Sequence, residues 1–264
     1  MRIDQLLVER GLASSRSQAQ RLVASGVRWR GPNGWRTAAK NGDEVPEDAG
    51  IELLDAAEAR YVSRGGLKLE GALRATGLDV AGRACLDLGQ STGGFTDCLL
   101  HHGAAYVVGV DVGHGQLHAR LRADRRVRCV EGVNARDPDA LKIIANFDHS
   151  TGSEGQFHSK FDLITGDLSF ISSTLVLPAA VPYLKPGGAL LMLVKPQFEL
   201  QPHQIGKGGI VKDVALYAEV AQRLHSCCVD LGLQVRQWFD SPITGGDGNR
   251  EFFIHATHDN GRPV

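Results

Sequence analysis

The sequence has no long apolar run, since the longest unbroken one covers only residues 189–194. A helix that crosses a membrane needs about 20 mostly apolar residues, so no transmembrane segment is predicted. The first ten residues include four charged side chains and no apolar core, which differs from a secretory signal. We therefore expect a cytoplasmic protein with no membrane-spanning partner.

Cysteine is also scarce: the chain has five, and none of them forms a Cys-x-x-Cys pair. An odd number without a secretory signal argues against a disulfide framework, and the missing pairs argue against a zinc ribbon. Residues 148–160 contain His149 and His158, but the stretch is rich in serine and glycine and has one large apolar residue. This composition is typical of a mobile surface insertion, and no metal site is predicted.

The net charge is close to zero, with 29 basic and 30 acidic side chains, but the basic ones are unevenly spread. Residues 1–40 contain eight Arg and Lys residues against two acidic ones. An arginine-rich excess of this kind suits a phosphate backbone. The same stretch predicts two short amphipathic helices, with Ser14 and Ser15 as caps for the second, followed by strands near residues 27–29 and 51–54.

Three segments of this stretch resemble the ribosomal-protein S-four type of RNA-binding module. They are Arg2-Ile-Asp-Gln-Leu-Leu, Gly11-Leu-Ala-x-Ser-Arg-x-x-Ala19 and Gly26-Val27, and the resemblance covers about residues 2–54. It implies contacts to RNA phosphates and RNA shape, with an ordinary solvated surface as the alternative. The candidate RNA-binding residues are Arg2, Arg16, Arg21, Arg28 and, just beyond the module, Arg64.

From residue 84 onward, short apolar runs alternate with helical patterns. The alternation predicts an α/β fold, a Rossmann-like doubly wound parallel sheet with an antiparallel last strand, beside a small α+β module at the amino terminus. We expect a module over 1–54, a linker over 55–62 and a large domain over 63–264. The predicted strands are 84–88, 106–112, 127–130, 161–166, 189–194, 234–239 and 251–256, and the main helices are 93–102, 116–124, 138–147, 172–184 and 214–231.

A glycine-rich loop follows the first predicted strand of the sheet, where ligands of doubly wound folds bind. Its spacing is G-x-x-x-G-G, which differs from the G-x-G-x-x-G of dinucleotide sites and from phosphate-binding loops. A methionine carboxylate and an adenosine fit this edge better, with Asp111 toward the ribose and Asn134 or Asp137 toward the adenine. The candidate cofactor-binding residues are Asp87, Gly89, Ser91, Thr92, Gly93, Gly94, Phe95, Asp111, Asn134 and Asp167.

Polar residues also end several predicted strands. Asp167 and Lys195 each follow a parallel strand, and Glu251 opens the antiparallel last strand, so all three are expected at one edge of the sheet. Lys68, on a helix before the first strand of this sheet, is the expected fourth member. Glu199 competes with Glu251 for the acidic position. A structural ion pair between Lys195 and Glu251 is the alternative to a catalytic group.

This Lys-Asp-Lys-Glu order resembles the tetrad of FtsJ-type ribose 2′-O-methyltransferases. Three strings resemble the TlyA (hemolysin-like) family over nearly the whole chain: Tyr61-Val-Ser-Arg-Gly-Gly-Leu-Lys68, Asp167-Leu-Ser-Phe-Ile-Ser and Lys195-Pro-Gln-Phe-Glu. The resemblance implies methylation of a ribose in ribosomal RNA, of a cytidine, with S-adenosyl-L-methionine as cofactor and ribosomal RNA or ribosomal subunits as partners.

The chemistry of this reaction accounts for the residue types. A ribose hydroxyl must lose a proton before it can attack, and a lysine can accept that proton only in its neutral form. We assign Lys195 as the base, Lys68 as the neighbouring cation, and Asp167 and Glu251 as orienting groups. The alternatives are a ribosome-assembly factor with a vestigial cofactor pocket and, from the family label, a pore-forming protein.

Overall fold

The computed structural model describes residues 1–32, 34–54, 57–146, 160–245 and 247–258, which form two compact units, Met1–Leu67 and Lys68–Val264. The boundary between the units falls inside a helix at Gly65–Thr76, and a one-turn helix at Ala57–Arg60 occupies part of the expected linker. The domain limits at residues 54 and 63 stay a prediction. The expected insertion and its two histidines lie outside the described residues, except for Lys160 at its end.

The first unit contains two longer helices, a one-turn helix and a small antiparallel sheet. Its elements are α1 (Ile3–Glu9), α2 (Arg16–Gly26), β1 (Val27–Gly31), β2 (Gly34–Thr37), β3 (Ile51–Leu53) and α3 (Ala57–Arg60), with strand order β2-β1-β3. Ser15 caps α2 as expected, because its side chain accepts a hydrogen bond from the backbone N–H of Gln18. Strand β2 was not predicted, because its short polar sequence at an exposed edge shows no apolar alternation.

A buried carboxylate on α1 links helices α1 and α2. Asp4 has no exposed surface, and it accepts two hydrogen bonds of 2.9 Å from Arg2 and one of 3.1 Å from Arg16. The guanidinium of Arg2 holds the pKa of Asp4 well below its usual range, and Arg16 acts in the same direction. Two candidate RNA-binding arginines therefore have a structural partner, although their side chains stay 40% and 55% exposed.

We expect Asp4→Asn to destabilise the first unit by about 2 kcal/mol at neutral pH, because the substitution leaves Arg2 and Arg16 without their charged acceptor. The pKa of this carboxyl is lowered in the folded state, so the loss should persist down to about pH 4 and shrink in stronger acid. Amide hydrogen exchange in α1 and α2 measures the effect, with Glu9→Gln on the exposed side of α1 as the control. Equal exchange rates in Asp4→Asn and wild type would contradict this role.

The second unit is a seven-stranded sheet with helices on its faces. In chain order it contains α4 (Gly65–Thr76, shared with the first unit), β4 (Ala84–Leu88), α5 (Gly94–His101), β5 (Tyr106–Val110), α6 (Ala119–Arg122), β6 (Val127–Val130), α7 (Pro138–Leu141), β7 (Phe161–Asp167), α8 (Ser173–Ala180), β8 (Leu184–Val194), α9 (Pro196–Glu199), α10 (Ala215–Asp230), β9 (Leu233–Asp240) and β10 (Phe252–His258). Short 3₁₀ turns at Lys142–Asn146, Val181–Tyr183, Pro202–Gln204 and Lys207–Gly209 extend or join these helices.

The strand order of this sheet is β6-β5-β4-β7-β8-β10-β9, which confirms the predicted fold class. The five strands from β6 to β8 are parallel, and β10 runs antiparallel to both β8 and β9. Because β10 is reversed, its first residues lie beside the last residues of β8, and Phe252 is paired with Val194. The carboxyl ends of the parallel strands and the residues just before β10 therefore share one edge of the sheet.

Two elements differ from the sequence-based expectation. Helix α6 is one turn, because the segment before it bonds to other loops: the N–H of His118 donates to the Thr92 carbonyl, and that of Gly113 to Asp111. Strand β8 begins five residues earlier than predicted and includes a Pro-Gly-Gly sequence, which a register shift opposite β7 accommodates. Within the described ranges, no helix is long and apolar enough to cross a membrane.

Candidate active site

The glycine loop after β4 borders a cavity of about 500 Å³ at the carboxyl edge of the sheet, a volume within the usual range for cofactor pockets. Five candidate cofactor residues line this cavity: Gly89, Ser91, Asp111, Asn134 and Asp167. The cavity is also lined by Gln116, Val133, Leu168, Ser169, Phe170 and Ile171, which the sequence did not single out. Polar groups from four adjacent strands thus converge on one mostly apolar pocket.

Backbone geometry explains two of these positions. Gly89 has a φ of +77°, and a Cβ at this residue would lie 2.8 Å from the Asp167 carbonyl oxygen, so a side chain would strain the loop. Asp111 accepts hydrogen bonds from the backbone N–H of Ser91 at 2.6 Å and of Gly113 at 2.7 Å. The carboxylate therefore holds the glycine loop against the end of β5, and each of its oxygens keeps a further lone pair for a ligand.

The other candidate cofactor residues lie around the cavity without lining it. Gly93 has a φ of +98° and leaves room for Leu117 and Leu121, Gly94 begins α5, and the Phe95 ring stacks 6.3 Å from that of Phe253. Asp137, the alternative to Asn134, caps α7 by accepting hydrogen bonds from two backbone N–H groups. The structure therefore supports Asn134 as the pocket residue of this pair, while the ligand contacts of the whole set stay a prediction.

Asp87 is fully buried beneath the loop. Its Oδ2 accepts a hydrogen bond of 2.7 Å from Thr96, whose oxygen in turn accepts one of 2.9 Å from Gln90. Its Oδ1 has no hydrogen-bond partner among the described residues. Burial raises the pKa of Asp87 to about 7; the Thr96 hydrogen bond opposes this shift and the nearby Asp167 adds to it. The Asp87 carboxyl therefore titrates near neutral pH.

We expect this proton to appear in the pH dependence of stability. A carboxyl with a raised pKa stabilises the folded state fully below its unfolded value of about 3.9 and loses that contribution as pH rises to about 7. Relative to Asp87→Asn, wild type should lose up to about 4 kcal/mol of unfolding free energy between pH 4 and pH 7. Urea titrations across this range measure it, with Asp230→Asn at the exposed end of α10 as the control. Parallel curves for Asp87→Asn and wild type would refute the assignment.

The four tetrad candidates form two ion pairs at the edge of the sheet. Lys68 Nζ lies 2.5 Å from Glu251 Oε2, and Lys195 Nζ lies 2.6 Å from Asp167 Oδ1. Burial raises the pKa of Glu251, while the charges of Lys68 and Lys195 oppose the shift, so the two pairs interact electrostatically. The alternative of a structural ion pair between Lys195 and Glu251 is not observed, because each lysine pairs with a different acid.

Glu199, the competitor for the acidic position, is engaged elsewhere. It is buried, and its carboxylate accepts hydrogen bonds from the Ser172 hydroxyl and, at 2.7 Å, from the backbone N–H of Ser173. These donors belong to the first turn of α8, where a carboxylate is favoured by the helix dipole. Glu199 therefore stabilises the start of α8, and this geometry supports Glu251 as the fourth tetrad member.

The remaining candidate RNA-binding arginines lie on different elements. On α2, Arg21 donates a hydrogen bond of 3.2 Å to the Ser17 carbonyl. On β1, Arg28 pairs with Glu52 at 3.3 Å, and its guanidinium lies 5.6 Å from the centre of the Trp35 ring. Arg64 directly precedes α4. RNA contacts by these residues stay a prediction.

Ser169 lies in the string Asp167-Leu-Ser-Phe-Ile-Ser, but no site role was predicted for it, because serine is common in loops. Its hydroxyl accepts a hydrogen bond of 2.8 Å from Lys195 Nζ and lines the cavity. The available indication was its position two residues after Asp167, in the loop that follows β7. A search of that loop for partners of Lys195 would have found it.

The strand order, the glycine loop and the charged edge together define a methyltransferase of the doubly wound class. The chain belongs to the FtsJ-like methyltransferase family, whose model matches residues 61–258, and an S4 domain model matches residues 1–26. Both matches confirm the resemblances predicted from the sequence.

Relatives extend this finding to nearly the full chain. It is 41% identical to the 16S/23S rRNA (cytidine-2'-O)-methyltransferase TlyA of Mycobacterium tuberculosis, over 96% of this chain and 88% of that protein. It is 36% identical to hemolysin A of Brachyspira hyodysenteriae, over 97% of this chain and 99% of that protein. A solved structure of a Streptococcus thermophilus protein assigned as a hemolysin has a TM-score of 0.70 and 38% sequence identity. The match covers 98% of this chain and 89% of that one. The chain thus belongs to the TlyA (hemolysin-like) family.

Proposed function

We propose that this protein transfers a methyl group from S-adenosyl-L-methionine to the 2′-hydroxyl of a cytidine ribose in ribosomal RNA. The observation that carries the proposal is the pair of ion pairs, Lys68 with Glu251 and Lys195 with Asp167, at the edge of the cavity. Family membership supports the reaction class. The named activity of the Mycobacterium tuberculosis relative supports the choice of nucleoside and of ribosomal RNA.

The residues around the cavity fit the proposed cofactor. Gly89 leaves the space that a Cβ would fill, and the free lone pairs of Asp111 suit ribose hydroxyls. Asn134 can bond to an adenine edge, and apolar side chains such as Val133 and Ile171 can cover its ring. When bound, S-adenosyl-L-methionine supplies an electrophilic methyl group on sulfur.

The residues of this chain would prepare the hydroxyl that attacks. Lys195, in its neutral form, accepts the proton of the ribose hydroxyl at Nζ. Asp167 orients the lysine at 2.6 Å and stabilises the ammonium that results. Lys68 is the neighbouring cation, and Glu251 holds it in place.

The first unit would supply the affinity for RNA. Its Arg-rich surface suits phosphates, and the match to the S4 domain supports this role. We further propose that the protein acts in the cytoplasm, where ribosomal subunits are found. In this proposal residues 1–54 bind the RNA and residues 63–264 carry out the methyl transfer. A ribosome-assembly factor with a vestigial pocket is the alternative, and it requires that no methyl transfer occurs.

We expect Lys195→Arg to lower single-turnover methyl transfer by about 10²–10⁴-fold, the range for a positioned base, because a guanidinium stays protonated. Cofactor affinity should be preserved. The assay follows labelled methyl groups from S-adenosyl-L-methionine into ribosomal subunits from cells that lack this gene. Transfer near the wild-type rate would show that Lys195 supplies only charge, and absence of transfer by wild type would favour the assembly factor.

Matched substitutions distinguish the roles of Glu251 and Glu199. We expect Glu251→Gln to lower the transfer rate by about 10-fold or more, measured at a temperature where circular dichroism shows the variant folded, since the buried Lys68 loses its charged partner. Glu199→Gln should instead lower the melting temperature, because α8 loses a charged acceptor, and keep transfer within about threefold of wild type. The reverse pattern would assign the acidic position to Glu199.

A further inference from the structure

Lys195 has a second partner besides Asp167. Its Nζ donates a hydrogen bond of 2.8 Å to Ser169 Oγ, in addition to the ion pair of 2.6 Å with Asp167 Oδ1. Ser169 lies between Asp167 and Phe170 in the loop after β7, and its side chain is exposed to the cavity. The hydroxyl therefore lies beside the Lys195 amine and borders the cavity.

The loop that carries Ser169 has an unusual backbone conformation at Phe170. Phe170 has a φ of +63°, a left-handed value that is costly for a residue with a side chain and persists only where the surroundings impose it. Its ring lies 5.0 Å from that of Phe198, in α9, which begins directly after Lys195. Two contacts thus join this loop to the segment of Lys195: one between the aromatic rings and one between Ser169 and the lysine.

Two neighbours restrict the directions in which the Lys195 amine can point. Ser169 Oγ accepts one N–H group at 2.8 Å, and Asp167 Oδ1 lies 2.6 Å from the nitrogen in an ion pair. A lysine nitrogen has further bonding directions, so one remains for a substrate hydroxyl. The other charged groups near Lys195 are Glu251 and, through it, Lys68.

We propose that Ser169 is a positioning residue that directs the lone pair of Lys195 toward the substrate hydroxyl. The inference rests on the proposed function, because it needs Lys195 to be the base. Ser169 takes no proton from the substrate; it accepts a hydrogen bond from the amine and so limits rotation of the nitrogen. The proton goes from the ribose hydroxyl to Lys195, and the hydroxyl oxygen forms the new bond to the methyl carbon.

The test compares Ser169→Ala, which removes the acceptor, with Ser169→Thr, which keeps a hydroxyl. Ser226→Ala, on the exposed side of α10, is the matched control. Single-turnover methyl transfer to ribosomal subunits is measured from pH 6.5 to pH 10, and cofactor affinity is measured by calorimetry. We expect Ser169→Ala to lower the plateau rate about 10-fold with cofactor affinity within about twofold of wild type, and Ser169→Thr to restore most of the rate.

The pH profile separates positioning from packing. A hydrogen bond to an ammonium favours the charged form, so Ser169→Ala should move the half-maximal rate to lower pH by about one unit while the plateau falls. A lower rate with an unmoved profile and no rescue by threonine would reduce Ser169 to a packing role. A plateau within about twofold of wild type would also overturn the proposal.

A second readout does not depend on catalysis. Lysine labelled with ¹³C at Cε reports the mobility of the Lys195 methylene by NMR in the full-length protein, with and without cofactor. We expect higher mobility in Ser169→Ala than in wild type and Ser169→Thr. If wild type transfers no methyl group, the proposed function fails, whereas equal mobility in Ser169→Ala and wild type contradicts the positioning role itself.

Discussion

The buried ion pair between Lys68 and Glu251 is the interaction on which the candidate active site depends. Both residues are less than one tenth exposed, and an isolated charge at either position would cost several kcal/mol. Each residue is tolerated because the other is present. The pair links α4 to the start of β10, and it fixes a balanced set of charges beside Asp167 and Lys195.

Much of the fold could be predicted because its signals are local. Buried parallel strands give short β-branched runs, and β4 and β6 have the predicted bounds. The tetrad could be predicted for a different reason: residues that end neighbouring parallel strands must share an edge with the residue that opens an antiparallel one. Asp167, Lys195 and Glu251 follow from this rule, whereas Lys68 was expected from its helix before the first strand of the sheet.

The features that were missed depend on contacts between distant segments. Gln90 interrupts the usual pattern of the glycine loop, and its buried side chain is accommodated because Gly109, on β5, has no Cβ to occupy the same space. Helix α6 is short because the preceding segment bonds to the glycine loop. The pairing of Lys195 with Asp167 rather than Glu251 likewise depends on side-chain positions that spacing along the chain does not encode.

The position of β10 in the sheet has a consequence for biosynthesis. It is the last strand in the sequence, yet it lies between β8 and β9, and it brings Glu251 to Lys68. During translation, α4 and the parallel strands emerge first, while Lys68 still lacks its acidic partner. A nascent chain interrupted before residue 251 would carry the cofactor loop and three tetrad residues, but not the complete charge set. Assembly of the complete charge set is therefore coupled to completion of the sheet.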